Sequence, residues 1–288
     1  MKVSLVLATY GRGEELGRCL ESLAAQTVRG FEVLVMDQNP DDRLDRIIAE
    51  FRSRDLAIHH ERLPRPGLSE ARNRGIQIAR GDIVGFPDDD CWYEPETLAA
   101  ILPAFEADAS LSGVIADWVE QTEGGGNEYG ASSSLLSLAA WRDFRGGAAS
   151  SISLFLKRDL LLALNGFDER LGVGKWYGAA EETDLVLRAL ASSARIRRAA
   201  NARVHHAFSR STFGSGSQLI EASRARARGT GAIYAKHELP TATIVRGLVA
   251  PVLKPLAGMR FGLPLQVGWA IASGRLEGMQ RWRKEESR

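Results

Sequence analysis

Three consecutive carboxylates, Asp88-Asp89-Asp90, close the apolar run DIVGFP. Like charges at adjacent positions repel, and at the end of a buried strand little solvent screens them. A hard divalent cation relieves that cost. Mg²⁺ or Mn²⁺ takes oxygen ligands, keeps some water and bridges carboxylates to substrate phosphates. The triplet can also be a solvated acidic turn ahead of a helix, since Glu94 and Glu96 continue the acidity. Its place after the fourth strand, at the edge where ligands bind, favours the metal. His205 and His206 end a short alternating stretch, ARVHH. Adjacent strand residues face opposite ways, so only one of them can serve a site. The acidic triplet makes one of them a candidate third metal ligand or pyrophosphate contact, against the alternative of a satisfied core histidine.

Other polar clusters invite the same question. The segment Ala8-Thr9-Tyr10-Gly11-Arg12-Gly13 contains Gly11-x-Gly13, but Leu16 stands where a dinucleotide fingerprint needs its third glycine. Asp37 can serve as the acid that such a fingerprint places on a ribose. The same loop can hold a nucleotide base and ribose, with Tyr10 packed on the base and Asp37 accepting from an N–H or hydroxyl. It can also be a plain polar turn. In Leu68-Ser69-Glu70-Ala71-Arg72, the preceding Pro66-Gly67 and Ser69 mark a helix start. Arg72 on its first turns can pair with phosphate as a charged fork, or lie on an exposed basic face. Glu181, Glu182 and Asp184 put three carboxylates at another helix start. The helix dipole favours ionised acids there, and one of them can act as a general base. Glu181 and Glu182 stand about 100° apart around the helix, so they need not face the same ligand.

The elements that must position these groups follow a rhythm. Apolar, β-branched runs begin at Val3, Phe31, Leu56 and Asp82. Between them Leu16, Leu20 and Leu23, and then Leu44, Ile47, Ile48 and Phe51, recur at helical spacing. Strands alternating with such helices read as βαβ units with a parallel sheet, whose ligands bind beyond the carboxyl ends of the strands. That edge holds Ala8–Arg12, Asp37–Asn39 and Pro87–Asp90. Further on, 121–134 is rich in Gly and Ser without periodicity and reads as a mobile surface loop or lid. SISLFLKRDLLLALNG reads as a strand and a short helix, 182–191 as a helix, and 202–206 as a short strand. With 37 basic against 36 acidic residues the chain carries no global field for a polyanion, so nucleic acid is not an expected partner. Two cysteines cannot build a disulfide framework and point to a reducing, cytoplasmic setting. The opening apolar run is too short for a signal-peptide core, and no 18-residue apolar stretch predicts a spanning helix.

Taken in order, the motifs resemble one family, the inverting family 2 glycosyltransferases of the GT-A fold. VSLVLATYGRGEELGRCLESLAAQT and FEVLVMDQNPDD are similar to its nucleotide-binding half. GLSEARNRGIQIARGDIVGFPDDDCWYEPETL resembles its Ala-Arg-Asn helix and the strand leading into the DxD motif, and NGFDERLGVGKWYGAAEETDLVLRAL resembles its acceptor-side block. The resemblance implies an α/β, Rossmann-like fold, a mostly parallel central sheet flanked by helices, with a C-terminal helical appendage. It implies a metal-dependent transferase using Mn²⁺ or Mg²⁺ and a nucleotide-sugar donor, most naturally a UDP-sugar. The nucleotide-sugar role falls on Ala8, Thr9, Tyr10, Arg12, Asp37, Arg72, Asp88 and Asp89, and the metal role on Asp90, Asp88 and His206. The base role falls on Glu182, with Glu181 and Asp184 beside it. The chain departs from the pattern at Gln38, where a second Asp is common, at Glu182, where Asp is usual, and at Pro87, which replaces an aliphatic residue.

These readings divide the chain into a catalytic domain at 1–235 and an appendage at 236–288, with the donor half ending near 115. In the appendage apolar runs alternate with Arg246, Lys254 and Arg260, and Pro251, Pro255 and Pro264 are expected to interrupt any long helix. Residues 275–288 add five basic and three acidic side chains. Apolar-plus-basic pieces suit the inner face of a cell membrane, where a lipid-linked acceptor is met, or else pack on the domain or on a second copy. The expected setting is polysaccharide or glycolipid synthesis on a saccharide or lipid-linked acceptor. The rival classes are an NAD-dependent oxidoreductase, which gives the acidic triplet no role, and a non-catalytic nucleotide-sugar-binding protein.

Overall fold

The computed structural model describes residues 2–120, 127–129, 134–146, 149–206, 216–259 and 261–287. The Gly/Ser segment read as a lid lies largely outside them. In chain order the elements are β1 (Val3–Thr9), α1 (Glu14–Ala24), β2 (Glu32–Asp37), α2 (Asp45–Ser53), β3 (Ile58–Arg62), α3 (Leu68–Ile78) and β4 (Ile83–Gly85). They continue as β5 (Cys91–Tyr93), α4 (Thr97–Ala107), β6 (Leu111–Glu120), β7 (Asn127–Tyr129), α5 (Leu138–Arg142), β8 (Leu154–Lys157) and α6 (Arg158–Ala163). The last are α7 (Glu181–Ala191), β9 (Arg195–His206), α8 (Gly216–Lys236), α9 (Thr241–Ala257) and α10 (Leu263–Glu286).

Two compact units result. One comprises 1–137, 147–167 and 188–208, the other 138–146, 168–187 and 209–288. The first is built on a sheet of order β3-β2-β1-β4-β8-β6-β9-β5, with β7 paired to β6. Strands β3, β2, β1 and β4 are mutually parallel, as the strand-helix rhythm predicts. Beyond β4 the sheet is mixed: β8 runs antiparallel to β4 and to β6, β9 is parallel to β6, and β5 is antiparallel to β9. Every residue of β1 is buried, because helices cover both faces of the sheet. Leu16, Cys19, Leu20 and Leu23 of α1 and Ile48 and Phe51 of α2 supply the cover on one face, and α3 lies against the other. Close approach explains Gly75 of α3: a Cβ there would lie 2.2 Å from Val6 of β1.

Strands β5, β6 and β7 have no clear alternating signal. In β6, Gly113 and Asp117 interrupt the pattern. The glycine is needed because a Cβ at 113 would lie 2.4 Å from Leu156 of β8. The strand expected at 202–206 is the end of the longer β9, whose pairing with β6 shifts register between Ala116 and Asp117.

In the second unit α8 and α10 meet backbone to backbone. A Cβ on Gly231 would lie 2.0 Å from Arg275 O, and one on Gly278 would lie 2.0 Å from Arg228 O. The expectation that proline interrupts the tail is corrected at two of three positions. Helix α9 runs through Pro251 and Pro255, and only Pro264 falls at a helix start. Pro251 lacks the N–H that would bond the carbonyl of Gly247 four residues back. The Arg275 guanidinium donates to that carbonyl instead, so the lost bond is replaced from α10. Among the described residues no helix is long and apolar enough to cross a membrane.

Candidate active site

The acidic triplet sits where β4 runs out beside the end of β1, and an isolated parallel bridge joins Ala8 to Asp88. The chain turns at once into β5, whose register sets Cys91 opposite His206. That pairing carries a histidine from the far end of β9 to the triplet, with His206 Nε2 3.1 Å from Asp90 Oδ1. Asp88, Asp90 and His206 each offer a ligand atom, all within 4.8 Å of one another. Two carboxylate oxygens and an imidazole nitrogen form a donor set that fits Mn²⁺ or Mg²⁺. His205 faces away: its ring stacks on Trp92 and its Nε2 lies 3.0 Å from Glu94.

The triplet's charge is matched by the protein itself. Arg72 donates to Asp88 Oδ1 at 2.7 Å and to Ser151 Oγ at 2.8 Å, and Arg12 donates to Asp90 Oδ2 at 3.1 Å. Thr9 Oγ1 donates to Asp89 Oδ2 at 2.7 Å. The three carboxyls separate accordingly. Burial pushes Asp89 up to about 6 despite the Thr9 hydroxyl, and burial also raises Asp88 against the pull of Arg72. Burial acts on Asp90 too, but the His206 hydrogen bond and charge, with Arg12, hold it below the usual carboxylate range. Arg72 is only 1% exposed. It lies neither on a basic surface nor open to solvent, but beneath the triplet with Phe167 against its guanidinium.

The turn after β1 is held from β2. Gly11 takes a φ of +73°, the left-handed region, and its N–H donates to Asn39 Oδ1 at 2.7 Å. The backbone N–H and side-chain amide of Asn39 both donate to Asp37 Oδ1, and His60 Nε2 lies 2.9 Å from Asp37 Oδ2. Asp37 is therefore buried with both oxygens engaged, and it acts on the turn through Asn39 rather than facing solvent. Tyr10 is 56% exposed on that turn, an aromatic face open to a flat ligand. Ala8 and Thr9 are buried beneath it.

In the second unit the carboxylates at the start of α7 part company. Ala180 enters the helix at a φ of +79°. Asp184 has no exposed surface: its Oδ1 lies 2.8 Å from Lys236 Nζ and 2.9 Å from His237 Nε2. Lys236 also bonds Asp168 at 2.7 Å. Glu181 is buried as well. Glu182 is half-buried and lines an open cleft of about 340 Å³ with Thr183, Ser223, Arg226, Thr230 and Arg275.

His60 and Ser151 were not singled out in the sequence, and Asn39 entered only as the end of the Asp37–Asn39 edge. Asn39 had a local signal, an Asx residue just past a strand end, where such side chains fold back on backbone. His60 and Ser151 had none, since their partners are distant in the chain.

Residues 4–147 match the model of Glycosyl transferase family 2. The chain is 28% identical over 224 residues to the glucosyl-dolichyl phosphate glucuronosyltransferase of Haloferax volcanii, covering 72% of this chain and 69% of that protein. It is 31% identical over 113 residues to glycosyltransferase GlyA of Streptococcus pneumoniae, spanning 38% of this chain but 16% of that much longer protein. In three dimensions it resembles the mannosyltransferase PcManGT from Pyrobaculum calidifontis in complex with GDP-Man and Mn²⁺, with a TM-score of 0.66 at 17% identity over 99% of this chain and 87% of that one. It also resembles S. aureus TarS 1-349 in complex with UDP-GlcNAc, with a TM-score of 0.62 at 15% identity over 99% of this chain and 92% of that one. The fold is the GT-A arrangement that the sequence resemblance implied. With half its length matched by the family model, and the acidic triplet gathered at the sheet edge where such folds bind ligands, the chain belongs to glycosyl transferase family 2.

Proposed function

We propose that this glycosyltransferase moves a sugar from a UDP-sugar to an acceptor hydroxyl with inversion at the anomeric carbon. The observation that carries the reading is the convergence of Asp88, Asp90 and His206 within 4.8 Å at the end of the parallel strands. In this reading Asp90, Asp88 and His206 hold Mn²⁺ or Mg²⁺, which when bound supplies positive charge to the donor's diphosphate. Tyr10 stacks on the nucleotide base, and Thr9, Gly11 and Asp89 shape the pocket below it. Asp37 keeps the turn in place through Asn39. Arg72 fixes the orientation of Asp88, and Arg12 adds charge at the rim. Glu182 takes the proton from the attacking hydroxyl, while Asp184 and Glu181 position α7. The donor half is assigned to about 1–115, the acceptor half to 116–235 and the appendage to 236–288.

Structures of similar fold hold UDP, UDP-GlcNAc, or GDP-Man with Mn²⁺, which supports a nucleotide-sugar donor. The Haloferax volcanii relative is named for a dolichyl phosphate substrate, which supports a lipid-linked acceptor, glycolipid or polysaccharide synthesis, and a peripheral membrane setting. The oxidoreductase alternative has no use for the metal cluster, and the family assignment removes it. The test is a panel of nucleotide-sugars with Mn²⁺, read as metal-dependent donor hydrolysis and then as transfer. Turnover of a UDP-sugar that chelation abolishes is expected. Binding without any turnover on the whole panel would leave a non-catalytic binding protein.

A further inference from the structure

Among the described residues fourteen large apolar side chains are exposed, and nine of them fall between Val245 and Leu276. Four mark one stripe on α9: Val245, Val249, Leu253 and Leu256, at spacings of 4, 4 and 3. At 100° per residue they lie within about 80° of arc. The stripe runs into the α9–α10 turn, where Met259 is 80% and Phe261 66% exposed. A contiguous apolar surface of this kind is rare on a protein that meets only water.

Charge says what covers it. No Asp or Glu occurs between Glu238 and Glu277, while Arg246, Lys254, Arg260 and Arg275 all do. Arg246 is paired with Asp143 and Arg275 serves the Gly247 carbonyl, while Lys254 stands exposed beside Leu253 near the end of α9. A two-fold contact through this stripe would bring lysine towards lysine with no acid in the segment to answer them. An anionic lipid surface answers both features: acyl chains take the apolar stripe and headgroup phosphates take the cations. The two helices approach closely behind the turn, where a Cβ on Gly268 of α10 would lie 2.2 Å from Pro251 O of α9.

We propose that α9 and the α9–α10 turn form a membrane-docking element. Leu253, Leu256, Met259 and Phe261 enter the headgroup–acyl boundary of an anionic bilayer, with Lys254 on lipid phosphate. This names the surface behind the peripheral membrane setting proposed above, and it does not depend on the transfer chemistry. The experiment is co-flotation of the full chain with phosphatidylglycerol/phosphatidylcholine vesicles. Leu253→Gln combined with Phe261→Gln should weaken partitioning by about tenfold or more, since each removes a buried hydrocarbon contact. Both side chains are exposed, so an unchanged melting curve and unchanged donor hydrolysis are expected of that variant. Lys254→Glu should weaken partitioning several-fold at low salt and less at high salt. Asp90→Asn should float like the parent chain, which separates docking from catalysis. Equal flotation on pure phosphatidylcholine would overturn the charge complementarity. Absence of flotation, with a sedimenting dimer that the Leu253→Gln/Phe261→Gln variant dissociates, would overturn the proposal in favour of self-association.

Discussion

The two acidic clusters of this protein begin alike and end differently. At 88–90 three carboxylates follow one another in a strand-end turn; at 181–184 three are spread over the first turn of a helix. In the turn all three stay together, because neighbouring elements bring a counter-group to each: Arg72 to Asp88, Thr9 to Asp89, and His206 with Arg12 to Asp90. On the helix, residues one apart stand about 100° apart, so each meets a different environment. Asp184 is drawn into an interior network with Lys236 and His237, Glu181 is buried, and Glu182 fronts a cleft. A turn gathers its side chains for shared work, whereas a helix sorts them into separate roles.

That contrast is open to direct attack. The largest expected effect is Glu182→Gln, which should cut transfer by about 10²–10⁴-fold, the usual worth of a general base. Glu181→Gln should cost less than about tenfold, and steady-state kinetics that reverse the order would move the base by one residue. Next, Asp90→Asn should lower metal-dependent donor hydrolysis by about 10²–10³-fold, as loss of a key electrostatic group does. Full activity in that variant would remove the metal assignment. Asp184→Asn should act on stability first, by about 3 kcal/mol in urea denaturation, because it removes the buried carboxylate that pairs with partly buried Lys236. Unchanged stability with lost activity would instead make Asp184 part of the chemistry.

The smallest effect concerns pH. Burial opposes ionisation of Asp168, but hydrogen bonds from Arg170 and Lys236 outweigh it and hold the carboxyl far below its ordinary value. A depressed folded-state value means the contribution is complete above the unfolded value, about 3.9, and is lost as pH falls towards the folded one. Stability measured by urea melts should therefore decline below about pH 4. Asp168→Asn should flatten that decline, and an identical acid limb in the variant would remove Asp168 from the network's account.

Much of the first unit was legible in the chain. The runs VSLVLAT, EVLVMD and DIVGF, with leucines at helical spacing between them, specify β1, β2 and β4, and hence the edge where the triplet lies. The family's motifs added the expected roles. Less legible was β6, whose Gly113 looks like a break in the pattern but exists because Leu156 fills the space a side chain would need. The prolines of α9 misled for a related reason. Pro251 removes a local bond, and Arg275 replaces it from another helix.

By itself the sequence determined the order of strands and helices from β1 to β4, the place of the acidic triplet after β4, and the apolar segment without acids at 239–276. All of these are properties of neighbours along the chain, set by periodicity and local charge. Tertiary structure alone decided that His206 rather than His205 meets Asp90, that Arg72 lies buried under Asp88, and that Asp37 reaches the β1 turn through Asn39. Each of these turns on a strand register or a helix crossing between segments distant in sequence. A one-residue shift of β9 against β5 would exchange the two histidines.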